Sequence, residues 1–363
     1  TVNGEFEQEF SKFKSQPDAV TILNFNSKEE INSDLQSVIK ENFDFNKDQN
    51  YFEIVNTALF DKGFMVKIAD NYQSQKPLQI LHISNKESFN QIRSLIIAGK
   101  NSKIEIVVSY VGIANSRYYT NAVVDCILEE SAHLKLDKIQ NDSNDSTRLY
   151  HYNCKLKQNS NFEFNSFSFG AKSSRDQIKV DINGEGANAS INGLYVVNET
   201  RSSHHQVTVN HNVPNSSSSQ VFKGLILDNG IAEFNGLIEV AQNAHHSNAA
   251  QLNKNLLLSP NAHIDSRPQL NILNHDVKCS HGSTIGRLNQ EELFYLISRG
   301  LSQEEARIIL TYSFCQEIIN RIGLNSARNY ASNLAFAKLG ATSNQAFKTL
   351  AENSKFKTSR YNT

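Results

Sequence analysis

From residue 64 onward the chain sets apolar against polar residues in short bursts that alternate rather than recur at helical spacing. Runs at 64–68, 78–83, 104–108, 123–128, 134–139, 149–156, 162–169, 178–182, 191–197, 207–213, 221–227 and 231–240 read as short strands. Turn formers separate them, among them the Asn and Asp cluster at 141–145, Asn183-Gly184, Pro214-Asn215 and Asp228-Asn229-Gly230. Comparable points recur at Lys103, His133, Asn161 and Ala189, in steps of 30, 28 and 28 residues by subtraction. A period of this length, with two or three strands inside it, points to stacked coils that bury their apolar faces on one another. A β-sandwich spaces its strands similarly, so periodicity alone leaves both architectures open.

The flanks follow a different pattern. Phe6, Phe10 and Phe13 fall at helical spacing, and Ser27 with Glu30 makes a capping box ahead of Ile31, Leu35, Val38 and Ile39. After Gly286, Asn289 with Glu292 reads as an N-cap pair, and Leu293, Phe294 and Ile297 share a face. Ser302 with Glu305 opens a second helix whose apolar residues include Ile309, Phe314 and Ile318. That face needs either the β core or another subunit. The stretch 325–350 reads as helical too. The expected division is a helical segment over 1–50, a β core over 51–288 and a helical domain over 289–363.

Composition narrows the function classes. A net charge of −1 and a pI near 6.8 give no pull toward nucleic acid or an anionic membrane. No run reaches the ~18 apolar residues that cross a bilayer, and TVNGEFEQEF has no apolar signal core. Cysteines at 126, 154, 279 and 315 form no CxxC pair, which fits a reducing cytoplasm better than a disulfide framework. Without an initiator Met the chain reads as processed or trimmed. Asn and Ser are abundant, and the reading assigns them to solvated turns without function. No GxxxxGK[ST], GxSxG, HExxH or GxGxxG motif is present, so ATP hydrolysis and other catalysis have no local apparatus here.

Candidate chemistry centres on Cys279 and His281. In an extended segment residues two apart face the same way, and thiolate and imidazole both bind iron, copper or zinc. Taken singly, such a Cys is more often a small buried hydrophobe and such a His a hydrogen-bonded one. The pairs His204-His205 and His245-His246, with His211 and Asp228, show no ligand spacing of known type and read as turn or solvent-facing residues. Cys126, Cys154 and Cys315 read as packing residues.

The blocks NAAQLNKNLLLSPNAHIDSRPQLNI, DVKCSHGSTIG, LFYLISRGL and EEAR, in this order, resemble the SufB/SufD family of iron–sulfur cluster assembly scaffolds, and KCSHG resembles its SufD branch. The resemblance implies a mainly β fold, a right-handed parallel β-helix core with N-terminal and C-terminal helical segments. It implies a non-catalytic scaffold that pairs with SufB through β-helix edges and contacts the SufC ATPase through its C-terminal helices. No cofactor is expected to stay bound to the chain alone; a transient iron–sulfur cluster would form at the interface with SufB. A cluster usually takes four protein ligands, mostly thiolates. One Cys and one His here would need a second polypeptide to complete the set, with His281 the interfacial ligand and Cys279 its neighbour. Phe294, Tyr295, Arg299 and Glu304 are the expected contact residues for SufC. His211, Lys223, Gly224 and Asp228 match the family patterns HxxPxxxS and KGxxxD and are read as structural. Family members carry a longer N-terminal region with a Trp, which this chain lacks. Two alternatives compete: a polysaccharide-active β-helix enzyme, which needs clustered carboxylates, and a homodimeric scaffold acting without SufB.

Overall fold

The computed structural model describes residues 1–7, 9, 11, 19–25, 50–113 and 116–340. One sheet runs β1 (Val20–Asn24), β2 (Lys62–Ile68), β4 (Ser88–Ala98), β6 (Tyr118–Leu128), β8 (Thr147–Leu156), β10 (Ser173–Ile182), β12 (Ser202–His211), β14 (Ile231–Val240) and β16 (His263–Ile272). The other runs β3 (Leu78–Ser84), β5 (Lys103–Gly112), β7 (His133–Asn141), β9 (Asn161–Ser168), β11 (Asn188–Val197), β13 (Ser217–Ile226), β15 (Asn248–Leu257) and β17 (Lys278–Gly286). Apart from the antiparallel contact of β1 with β2, each strand pairs in parallel with the strand two further on. Such pairing in both sheets is a parallel β-solenoid of about 8 turns, each coil giving one strand to each sheet. The β-sandwich alternative falls, because its sheets are antiparallel.

The repeat read from the sequence is the coil itself. Lys103 pairs with His133 and His133 with Asn161. Only the fourth point slips by one residue, since Asn161 pairs with Asn188. At the corner leading from the first sheet to the second, one residue in every coil but the last takes a left-handed backbone: Asn71, Asn101, Ser131, Asn159, Gly186, Asn215 and His246, with φ from 54° to 73°. Asn and Gly tolerate that region best. The corners stack, as when the Asn101 N–H donates to Glu130 O at 2.9 Å and the Asn215 N–H to His245 O at 2.9 Å. Asn side chains also form ladders between coils: Asn192 donates to Asn165 at 3.0 Å, Asn212 to Asn183 at 2.9 Å and Asn261 to Asn229 at 3.0 Å. The abundance of Asn is therefore structural, beyond the solvated turns to which the sequence assigned it.

The interior combines apolar stacks with buried ions. Ile106, Leu136, Phe164 and Ile191 lie in register, each wholly buried. Beside them Lys138 pairs with Asp176 at 2.5 Å and Arg148 pairs with Asp142. Asp142 also accepts from the Tyr118 hydroxyl at 2.8 Å, the Tyr150 hydroxyl at 3.0 Å and Gln140 Nε2 at 3.0 Å. These inward polar residues explain why the apolar signal cut strands short. Ser173–Ile182 begins with Ser-Ser-Arg-Asp, and Ser217–Ile226 begins with Ser-Ser-Ser-Gln, in both of which alternate polar side chains are buried. For the same reason Ser88–Ala98, with Arg93 buried, escapes the periodicity.

The N-terminal boundary also differs from expectation. Residues Tyr51–Leu59 form helix α1, closed by an Asn50/Glu53 capping box, and strand pairing in the core starts at Lys62, with Val20–Asn24 added as β1. The reason is an inverted helix: α1 buries Glu53 and Asn56, whose Nδ2 donates to Ile92 O and Asn121 O at 3.0 Å each, and exposes Tyr51, Ile54 and Leu59. The helical signals at Phe10, Phe13 and 27–39 lie outside the described residues.

At the other end, Asn289 caps α2 (Gln290–Ser298) and a Ser302/Glu305 capping box starts α3 (Gln303–Ile319), followed by α4 (Asn325–Lys338). The part of the expected last helix beyond 340 lies outside the described residues. Cys315, Ile318 and Ile319 of α3 pack on Val107, Ile139, Phe167, Leu194 and Leu225, so the β core takes this apolar face. In α2 it is Leu293 and Leu296 that pack inward, while Phe294 and Ile297 stay exposed. Of the KGxxxD residues it is Lys223 that serves this assembly. Lys223 holds Glu317 at 2.5 Å and donates to Phe314 O at 3.0 Å. Gly224 makes room, because a Cβ there would come within 2.3 Å of the Tyr195 ring. No described helix is long and apolar enough to cross a membrane.

Candidate functional site at the open end of the solenoid

The last coil, β16 and β17, terminates both sheets, and its outer edge has no partner among the described residues. The Lys278 N–H bonds back to Ser247 O at 2.9 Å. In a parallel ladder alternate residues bond to alternate sides, so Ser280, Gly282 and Thr284 face β15. Cys279, His281, Ser283 and Ile285 then direct their backbone N–H and C=O groups to the open edge. Leu273 and Ile285 are 61% and 50% exposed beside it. A long exposed edge with apolar flanks is a template for strand addition.

Cys279 lies in register with Ala249 and His281 with Gln251, so the two share the inward face as their spacing predicts. Cys279 is half-buried against Val240, Ala244 and Ala249, and burial pushes its thiol up from the ordinary value. It is therefore a protonated thiol at neutral pH. His281 is exposed. Ser283, next on the same face, bonds to Ser266 Oγ at 2.8 Å, and Ser266 donates to Asn253 Oδ1 at 2.7 Å. Asn253 and Asn255 both bond to the Tyr195 hydroxyl, at 3.2 and 2.6 Å, and the Tyr195 ring stacks on His205 at 4.4 Å. A polar file thus runs from the open end into the core. Among the described residues no group of three His, Cys, Asp or Glu side chains converges on one point.

The other sequence candidates separate. Phe294 and Tyr295 of α2 are 73% and 54% exposed, and the Arg299 guanidinium lies 5.1 Å from the Tyr295 ring centroid. Glu304 is exposed in the first turn of α3. His204 and His205 face opposite ways: His204 meets Glu233 at 2.9 Å, while His205 is buried, contrary to the solvent-facing reading. His211 is buried as well, bonded to Ser216 at 2.7 Å and Ser218 at 2.8 Å, and burial brings its pKa down to about 4. The HxxPxxxS pattern is thus a clamp across a turn. Asp228 accepts the Glu199 N–H at 2.9 Å in another turn. His246 meets Asp276 at 2.8 Å and His245 meets Asn274 at 3.2 Å. Cys126 and Cys154 stack in register in the core, and Cys315 is buried beneath α3.

The description "SUF system FeS cluster assembly, SufBD core domain" matches residues 81–314, from β3 through the open end into α3. The chain belongs to the SufBD family. It is 31% identical to iron-sulfur cluster assembly protein SufD of Escherichia coli K12 over 248 residues, which are 67% of this chain and 59% of that protein. It is 30% identical to a SufBD family protein of Synechocystis over 339 residues, 90% of this chain and 74% of the relative. A chloroplastic protein of Arabidopsis thaliana is 31% identical over 245 residues, 66% of this chain and 51% of the relative. The chain thus spans between about half and three quarters of these relatives. Membership in the SufBD family takes the place of the polysaccharide-enzyme alternative. The sequence reading missed Gln220, Gln251, Asn253 and Ser266 around the open end. Stepping one coil back from His281, by 30 residues, reaches Gln251 and is the signal that finds it.

Proposed function

We propose that this SufBD-family chain is a non-catalytic scaffold subunit of the Suf assembly machine. It pairs with SufB by strand addition at β16 and β17, offers α2 and the start of α3 to the SufC ATPase, and builds a transient iron–sulfur cluster at the joint. One observation supports this above all: a thiol and an imidazole, side chains of kinds that bind iron, sit on the last strand at an edge without a partner, and no third candidate ligand converges on them, among the described residues. A strand added to β17 would lie ~4.8 Å away, close enough for its side chains to complete a ligand set with His281 and Cys279. The cluster is cargo, assembled here and passed on. Residues 287–289 alone separate β17 from α2, so a displacement of α2 is passed directly to the strand that carries His281.

The test is co-expression with SufB and SufC, anaerobic purification, and iron and sulfide content per complex. His281→Ala is expected to leave the complex intact and to lose most of its iron and sulfide. Unchanged cluster content would move the ligands off this chain. ATP is further expected to raise the labelling rate of Cys279 by a thiol reagent in the assembled complex, and an unchanged rate would sink the idea that SufC motion opens the joint.

A further inference from the structure

The inward row that ends in His281 changes character along the solenoid. After Ile106, Leu136, Phe164 and Ile191 come Gln220, Gln251 and His281, each in register with the one before. Gln220 and Gln251 are 0% and 3% exposed. They form a two-rung amide ladder, with Gln251 Nε2 donating to Gln220 Oε1 at 3.0 Å. Each amide spends one end on the other and keeps one. Gln220 Nε2 and Gln251 Oε1 are buried with no hydrogen-bond partner among the described residues. An amide carries its nitrogen and oxygen on opposite sides of the carbon, and Gln251 turns its nitrogen toward the preceding coil. Its oxygen is therefore directed toward the following coil, where the residue in register is His281. The facing sheet makes space for this side chain with a glycine: a Cβ on Gly236 would come within 1.4 Å of Gln251 Nε2.

We infer that Gln251 is a positioning residue for His281: its carbonyl oxygen accepts the ring N–H, fixes one tautomer, and turns the unprotonated nitrogen toward the open edge. The inference rests on the reading of His281 as a cluster ligand. Metal-binding histidines commonly donate their second ring N–H to a carbonyl or carboxylate, and loss of that outer partner lowers metal affinity about 10–100-fold. The two-rung ladder supplies such an acceptor from the dry interior, where water does not compete for it.

The decisive measurement is the nitrogen NMR spectrum of 15N-histidine-labelled chain, free of iron, in alkaline buffer, with His281 assigned by its loss in His281→Ala. A single fixed tautomer is expected in the wild type, a tautomer mixture in Gln251→Leu, and return of the fixed form in Gln251→Glu, which keeps an acceptor oxygen. Iron per complex with SufB and SufC is expected to fall about tenfold or more in Gln251→Leu and to recover in Gln251→Glu. A mixture in the wild type, or identical His281 signals in wild type and Gln251→Leu, overturns the inference. If Gln251→Leu does not fold, the wild-type spectrum and Gln251→Glu still decide. Should Gln251→Leu free the ring while His281→Ala keeps its iron, the hydrogen bond stands and the ligand reading falls. Should His281→Ala lose its iron while the ring is indifferent to Gln251, the reverse holds.

Discussion

A Ser283→Pro chain is expected to fold and to lose its partner. Ser283 directs its N–H away from β15, so a proline there removes no hydrogen bond of the internal ladder. It does remove a donor from the open edge and places a ring where an added strand must approach. Main-chain bonds supply much of the affinity in strand addition, and the loss is expected to reach about 3 kcal/mol, roughly a hundredfold in affinity for SufB. The side-chain bond to Ser266 at 2.8 Å is lost too, but it lies at the exposed end. Thr284→Pro is the contrast: its N–H belongs to the ladder with β15, so it should lower the melting temperature of the isolated chain as well. Co-purification with SufB, together with thermal unfolding of each variant, separates the two. If Ser283→Pro pairs with SufB as the wild type does, β17 is not the joining edge, and the site proposed for the cluster loses its second half.

Asp142→Ala is expected to be the most damaging single change in the core. Arg148 is 1% exposed and caged by aromatic rings, with its guanidinium carbon 4.9 Å from the Tyr118 ring centroid and 5.8 Å from that of Tyr150. Asp142 is its counter-ion and the acceptor for both hydroxyls. Burial raises the Tyr118 phenol to about 12, so it remains a donor at any ordinary pH. Taking away the carboxylate leaves a buried cation and orphaned donors, a loss of about 3–5 kcal/mol. For a chain of this size that corresponds to a fall of about 4–7 °C in melting temperature. Replacing both partners, Asp142→Leu with Arg148→Met, should recover most of it, because the penalty comes from the unpaired charge rather than from absence of the pair. Urea unfolding of the wild type and the two variants measures this directly. A loss under about 1 kcal/mol for Asp142→Ala would mean that water reaches Arg148 and that this part of the core is not dry.

What could be read along the chain was whatever depends on near neighbours or on a regular interval. The steps between Lys103, His133 and Asn161 are true coil steps, because each coil needs the same length of backbone to go round. The caps at Asn289 and Ser302 form as spaced, since a capping bond closes within three residues. Helix α1 escaped because its buried face is polar, and β4 because Arg93 sits in the middle of it; apolar periodicity is blind to both.

The sequence by itself determined the coil period, the change to helix after Gly286, and the shared face of Cys279 and His281, all of which follow from covalent spacing and strand alternation. Tertiary structure alone decided that Gln220, Asp142 and Lys138 lie inside, that Gln251 keeps a buried oxygen without a partner, and that the edge of β17 is unpaired, both among the described residues. The physical reason is the solenoid itself. What a side chain stacks on belongs to a residue about a full coil away in the chain, and whether a polar group is buried or exposed is settled only when that neighbour is in place.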